Sequence, residues 1–285
     1  MTVKVLYGNC CDILPSFRQK KIEFDLIFCD PPFNINQKYQ DYSDSMSEAE
    51  YMEFTMNWVT SCWRLCRGIL VLHFPPKFSR LFTSATEPFW EHQIASVVWH
   101  YRFGQCRREA WIDSYCNCWI FARDPKNHTW NPDDVEVDSD RVRYKDKRVN
   151  LTAQGGKRVP GTVWGVNGEG YDWILPPELQ EGYQAIPPDG PNWGRVQGNN
   201  HERRPGHPNQ LPEVYMARLI YAYTNPGDRV LDPFGGSGTT ATVANTLRRH
   251  AVTIDISQAN CHSIKERIKK GAVRVSQVHP ALSNK

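Results

Sequence analysis

The sequence predicts an α/β domain built on a doubly wound, mostly parallel sheet. Three observations carry this reading. Continuous apolar runs stop at an acidic residue: Phe24–Cys29 at Asp30, Val230–Leu231 at Asp232 and Ala251–Ile254 at Asp255. Strands buried on both faces of a sheet read this way. Segments of helical spacing separate these runs, and a turn rich in glycine, Gly235-Gly236-Ser237-Gly238, stands between one strand and the next helix.

Taken in order, Val3–Tyr7 is a short apolar strand, and Gly8–Cys11 turns into a helical segment near Asp12–Phe17. The second strand, Phe24–Cys29, ends at Asp30-Pro31-Pro32. Ser47–Cys66 reads as a helix, with Ser47 as cap and Glu50 three residues on completing a capping box. Gly68–Phe74 is a third strand, followed by a helix from Phe78. Ser96–Tyr101 and Asn117–Phe121 are two further strands. From Asp124 to Gly206 the chain becomes rich in Pro, Gly, Asn, Arg and Trp and loses its periodicity. A stretch of that length is too long for a plain loop in a compact domain. It reads as an inserted recognition module or a set of large functional loops, dividing the chain into 1–123 plus 207–285 and the insertion 124–206. Regular structure resumes with a helix at Pro212–Tyr223, a strand closing at Asp232, a helix at Thr239–Arg248, a strand at Ala251–Ile254, and a charged helix at Ser257–Lys270 stopped by Gly271.

Bulk composition narrows the class without choosing the function. The 285 residues carry 34 Lys plus Arg against 31 Asp plus Glu, and 40% are hydrophobic. That composition excludes a disordered tail, a collagen-like chain and a disulfide miniprotein. A net charge of +3 gives no vote on a nucleic-acid partner. No apolar run reaches the length of a membrane span and the start has no signal-peptide core, so the expected compartment is the cytoplasm. The nine cysteines show no CxxC pair; buried reduced thiols are expected and no metal site. Ten Trp and 20 Pro are the excess to be explained.

Two motifs carry the chemistry. Asp232-Pro233-Phe234-Gly235-Gly236-Ser237-Gly238-Thr239-Thr240 follows a strand and opens a helix. Its glycines allow close backbone approach and positive φ, and the helix start offers unpaired N–H groups to an anion. Asp255, 23 residues beyond Asp232, ends the next strand, where dinucleotide folds bind ribose hydroxyls. The run fits neither GxGxxG nor a P-loop, since no Lys follows. The second motif is Asp30-Pro31-Pro32-Phe33. Its two prolines stiffen the backbone and remove N–H donors. What remains is a carbonyl and carboxylate acceptor pair beside a flat ring, which suits a planar group bearing an NH2.

Together these motifs resemble the S-adenosylmethionine-dependent DNA amino-methyltransferases. Asp30–Phe33 matches their catalytic (D/N/S)PP(Y/F/W) tetrapeptide and Asp232–Thr240 their cofactor motif. His207-Pro208-Asn209-Gln210-Leu211-Pro212 matches their HPxQxP segment, with Leu211 where many relatives carry Lys. The order of motifs resembles the β group, which implies a circularly permuted Rossmann-like methyltransferase sheet with 124–206 as target-recognition insertion. The resemblance covers about Val3–Arg123 and His207–Gly271.

The resemblance implies S-adenosylmethionine as cofactor and double-stranded DNA as partner, and it admits a homodimer and an associated restriction endonuclease. It places Asp30, Pro31, Pro32 and Phe33 in the catalytic set. The cofactor set is Asp12, Asp30, His207, Gln210, Asp232, Pro233, Phe234, Gly235, Gly236, Ser237, Gly238, Thr239, Thr240 and Asp255. The target base must leave the duplex to reach such a cleft, and a Pro-Cys nucleophile of the C5-cytosine kind is absent. Clusters at Arg102, Arg107 and Arg108, at Arg141, Arg143, Lys145, Lys147, Arg148, Lys157 and Arg158, and at Arg203 and Arg204 are the candidate DNA contacts. Trp130, Trp164, Trp173 and Trp193 are expected to pack in a core rather than stack on bases. Asp at the catalytic motif favours N6 of adenine, with N4 of cytosine as the alternative. A non-catalytic binding module and a nicotinamide oxidoreductase fit the motifs less well.

Overall fold

The computed structural model describes residues 1–35, 45–101, 108–138, 147–148, 156–165, 193–196, 200–207 and 209–273. Arg102, Arg107, Arg141, Arg143, Lys145, Trp173 and Pro208 lie outside these residues. Ten strands are described, β1 (Val3–Tyr7), β2 (Phe24–Cys29), β3 (Cys66–Phe74), β4 (Gln93–His100), β5 (Tyr115–Ala122), β6 (Val137–Asp138), β7 (Lys157–Arg158), β8 (Val163–Gly165), β9 (Arg229–Asp232) and β10 (His250–Asp255). The helices are α1 (Cys10–Gln19), α2 (Glu48–Leu65), α3 (Ser79–Thr86), α4 (Glu213–Tyr223), α5 (Thr239–Thr246) and α6 (Gln258–Lys270).

Eight strands form one sheet in the order β1-β10-β9-β2-β3-β5-β4-β8, and β6 and β7 pair separately. From β1 to β3 all neighbours are parallel. β5 runs against both β3 and β4, and β8 lies parallel to β4. The first strand therefore sits beside the last, and the chain crosses from β1 over β10 and β9 to reach β2. The carboxyl ends of β1, β10, β9 and β2 share one edge, and the strand order reverses between β9 and β2, where such sheets bind ligands.

The burial pattern explains why the strands are apolar throughout. Along β2, Leu26 and Phe28 enter one core cluster while Ile27 and Cys29 enter the other. Along β3, Ile69 and Val71 alternate with Leu70 and Leu72 in the same way. Period-two alternation between two covered faces leaves no polar face. α1, α2 and α3 cover one face, whereas α4 and α5 cover the other. Every residue of α4 is buried, including Glu213 and Arg218.

Several boundaries differ from the sequence reading. α1 begins at Cys10, because the Asn9 side chain accepts from Cys11 N and caps it. β3 begins at Cys66 directly after α2, and β4 begins at Gln93. The expected capping box at Ser47 and Glu50 is present, with reciprocal bonds of 3.3 and 2.8 Å. The aperiodic region also contributes to the main sheet, through β8. Its Trp164 and Trp193 are buried against α4, and Arg218 Cζ lies 3.9 Å from the Trp193 ring centre and 5.1 Å from that of Trp164. Trp99 Nε1 donates to the Trp193 carbonyl at 2.7 Å. Two of the four interleaved Trp residues thus serve packing, while Trp130 is 42% exposed. Among the described residues, eight cysteines are free, all but Cys11 buried, and no helix is long and apolar enough to cross a membrane.

Candidate active site

The carboxyl edge of the sheet opens into a cavity of about 540 Å3. Its walls bring the two sequence motifs together. Asp30, Pro31, Pro32 and Phe33 follow β2; Asp232, Pro233, Phe234, Gly235, Gly236, Ser237, Thr239 and Thr240 follow β9; Asp255 closes β10; His207 and Gln210 come from the segment before α4. Gly238 caps α5 outside the lining. Asp12 is exposed in the first turn of α1, and the β1 side of the cavity is formed by Gly8, Asn9 and Cys10.

The turn after β9 is held by the carboxylates at the strand ends. Asp232 Oδ1 accepts from Phe234 N at 2.9 Å. Asp255 Oδ2 accepts from Gly236 N at 2.7 Å, and its Oδ1 accepts from Ser257 N at 2.8 Å and Asn260 Nδ2 at 3.2 Å. Two of the glycines answer the turn's own packing. A Cβ on Gly235 would stand 2.5 Å from Thr253 Oγ1, and one on Gly238, at φ +78°, would stand 2.9 Å from Ile264 Cγ1. The N-cap of α5, Gly238, has no side chain to cap it, which among the described residues leaves its first-turn N–H groups for an anion. Ser237 and Thr239 hydroxyls stand 3.0 Å apart beside them.

The two carboxyls that follow β9 and β2 are electrostatically unusual. Burial, opposed by hydrogen bonds from Thr240 and Phe234 N, pushes the Asp232 carboxyl up to about 6. Burial and the neighbouring Asp232 charge raise the Asp30 carboxyl well above the ordinary carboxylate range. Two desolvated carboxyls, each raised, disfavour joint ionisation. A cation between them would relieve both. The cavity thus holds two carboxyls together with a helix start and its hydroxyls, a set that suits a ligand carrying both a sulfonium and an α-carboxylate.

Other site residues were missed by sequence reasoning. On the α2 stripe Tyr51, Phe54 and Trp58, Phe54 lines the cavity and the other two are buried behind it: Phe54 and Trp58 meet the Phe234 ring edge-on at 6.3 and 5.1 Å between centres. Tyr51 OH donates to the Pro32 carbonyl at 2.8 Å, fixing the catalytic tetrapeptide from behind. Their helical spacing was the available signal. Asn34 clasps Met46 through both its amide atoms, each bond 2.8 Å, and so joins the ends of the 35–45 connection. No sequence pattern announces that clasp. Gln210 serves the loop as well as the wall: its Nε2 donates to the Glu202 carbonyl at 2.7 Å and its Oε1 accepts from Arg204 N at 2.9 Å. His207 is half-buried, and burial with the nearby Arg267 charge lowers its pKa. Of the basic candidates, Arg108, Lys147, Arg148, Lys157 and Arg203 are exposed, and Arg158 and Arg204 half-buried.

A permuted parallel sheet, a glycine turn locked by two strand-end acids and a carboxyl beside a Pro-Pro acceptor define an S-adenosylmethionine-dependent amino-methyltransferase. A model of DNA methylases matches residues 24–266, and the chain belongs to that N6/N4 DNA methylase family. It is 27% identical over 271 residues to the type II methyltransferase M.HpaI of Haemophilus parainfluenzae, covering 94% of this chain and 74% of that one. It is 27% identical over 267 residues to the DNA adenine methyltransferase YhdJ of Escherichia coli K12, covering 89% and 78%. The fold is similar to that of the PvuII cytosine-N4-specific DNA methyltransferase, with a TM-score of 0.60 at 15% identity over 100% of this chain and 93% of that one. It is similar also to M1.HpyAVI in its complex with S-adenosylmethionine, with a TM-score of 0.57 at 16% identity over 94% and 99%. The protein is a DNA amino-methyltransferase that uses S-adenosylmethionine.

Proposed function

We propose that this chain methylates the N6 amino group of adenine at a specific site in double-stranded DNA, on a base turned out of the helix into the cavity. One observation carries the reading: the half-buried Asp30 carboxyl, which accepts no hydrogen bond within the described residues, opens into the cavity that holds the Asp232–Thr240 turn. Asp at that position, and similarity to an adenine methyltransferase, support adenine over cytosine.

The residues divide the work by chemistry. The Asp232–Thr240 turn receives the methionine end, with hydroxyls and α5 N–H groups toward its carboxylate. Asp255, at the carboxyl end of β10 in the cavity lining, holds the ribose hydroxyls. Asn9, rather than Asp12, faces the adenosine on the β1 side. When bound, S-adenosylmethionine supplies an electrophilic methyl on a cationic sulfur. Asp30 and the Pro31 carbonyl accept the two amino hydrogens of the target, which draws its delocalised lone pair toward the methyl. Phe33 stacks on the base. With the C–S bond broken and its electron pair left on a neutral thioether, the methylated nitrogen would give one proton to the Asp30 carboxylate, and no bond to the enzyme would form. Rate enhancement then comes from positioning and from hydrogen bonds to a nitrogen becoming positive. Arg108, Lys147, Arg148, Arg203 and Arg204 contact phosphates, and 124–206 reads the target.

The test is product identity. Duplex DNA is incubated with the protein and methyl-labelled cofactor, digested to nucleosides and analysed by mass. N6-methyldeoxyadenosine is the expected product. N4-methyldeoxycytidine would replace the adenine assignment by the cytosine one.

A further inference from the structure

Arg267 of α6 is 2% exposed, yet it belongs to neither sequence motif. Its Nη1 donates to the Ser237 carbonyl at 3.0 Å, to Ser237 Oγ at 3.2 Å and to Thr239 Oγ1 at 2.8 Å. Its Nη2 donates to Glu213 Oε1 at 2.9 Å. Glu213 is fully buried at the start of α4; its Oε2 accepts from Val273 N at 2.6 Å, and its own N–H donates to Glu202 Oε2 at 2.7 Å. One guanidinium therefore joins the cofactor turn to the segment that carries His207 and Gln210.

The hydrogen-bond directions give this contact a consequence. A guanidinium only donates, so a hydroxyl that accepts from it must place its own hydrogen elsewhere. Ser237 and Thr239 both line the cavity and stand 3.0 Å apart, with the Leu211 carbonyl 3.4 Å from Thr239 Oγ1. These two neighbours can take a hydrogen from Thr239. The Ser237 hydrogen is then left to point into the cavity, and a cation behind an oxygen strengthens its O–H as a donor.

We propose that Arg267 is a positioning residue for the cofactor's α-carboxylate: it holds Thr239 and Ser237 so that the Ser237 hydroxyl donates toward that carboxylate, and Glu213 holds Arg267 in turn. The inference rests on assigning the methionine end to this turn.

The test compares two ligands by calorimetry on the full chain. S-adenosylhomocysteine carries the amino-acid carboxylate, and 5′-methylthioadenosine lacks it. Arg267→Met is measured with Glu213→Gln, so that no buried carboxylate is left unpaired. The variant should bind S-adenosylhomocysteine about ten- to a hundred-fold more weakly, the range for hydrogen bonds to a charged group. Its affinity for methylthioadenosine should be unchanged, and Arg267→Lys should recover part of the loss. Equal weakening of both ligands would assign Arg267 to the fold alone and overturn the proposal, as would full retention of S-adenosylhomocysteine affinity. Thr239→Val separates the two layers. If it weakens S-adenosylhomocysteine while the Arg267 variant does not, only the role of Arg267 fails. If neither variant has an effect, the assignment of the methionine end fails.

Discussion

Replacing Asp232 by Asn should make the protein more stable and bind its cofactor less well. Asp232 is 4% exposed and its pKa rises from 3.8 to about 6, chiefly through burial. A carboxyl whose folded pKa lies above its unfolded value is protonated more readily in the native state. The native state is therefore penalised as pH rises from 3.8 through 6, and the penalty is complete above that window. With about 1.36 kcal/mol per pKa unit, the full penalty is about 3 kcal/mol at pH 7.5 and about half that at pH 5. Asn keeps the carbonyl that accepts from Phe234 N and removes the ionisation. In a chain of this size each kcal/mol moves Tm by roughly 2–4 °C. Calorimetric scans of the ligand-free variant and wild type at both pH values should show a gain at pH 7.5 that shrinks by about half at pH 5. Calorimetric titration should show weaker binding of S-adenosylmethionine, whose sulfonium loses an opposing charge. Equal Tm at pH 7.5, or a gain that grows on acidification, would refute the electrostatic argument.

Three further outcomes follow from the same geometry. The acid limb of the kcat/KM profile for S-adenosylmethionine should lie above the ordinary carboxylate range, because Asp30 of the free enzyme has a raised pKa and stops accepting hydrogen bonds when it gains a proton; a kcat/KM flat to pH 4 would contradict this. Asp255→Ala should weaken S-adenosylhomocysteine binding, since it removes both the ribose acceptor and the bond to Gly236 N; unchanged affinity by calorimetry would remove Asp255 from the site. Gly238→Ala should destabilise the fold by about 1–3 kcal/mol in denaturant unfolding, with Ile264→Ala recovering part of it, because the new Cβ would meet Ile264 and the φ is +78°.

The strand ends were legible because buried parallel strands are apolar on both faces and an acid interrupts them conspicuously. The structure gathers Asp30, Asp232 and Asp255, the three acids that end apolar runs, at one cavity. The glycine turn was legible too, although Gly235 and Gly238 answer contacts with Thr253 and Ile264 that no local pattern reveals. Pairing of β1 with β10 joins the two ends of the chain and leaves no local trace. β8 escaped notice because three residues are too few for a period. Asp12 was placed by order after the first strand, but capping by Asn9 starts α1 early and leaves Asp12 exposed. Arg267 had a readable sign: Cys261, Ile264 and Arg267 fall at three-residue spacing on the buried stripe of α6, and a charge on such a stripe calls for a buried partner.

The central claim is that one cavity binds the cofactor through one set of residues and activates the amino group through another. Single-turnover transfer from pre-bound, methyl-labelled S-adenosylmethionine to duplex DNA, compared between wild type and Asp30→Asn, tests it most directly. The account predicts that the variant still binds labelled cofactor, weakened no more than in Asp232→Asn, and passes none of it to DNA. Transfer at the wild-type rate, or loss of cofactor binding in step with loss of transfer, would contradict it.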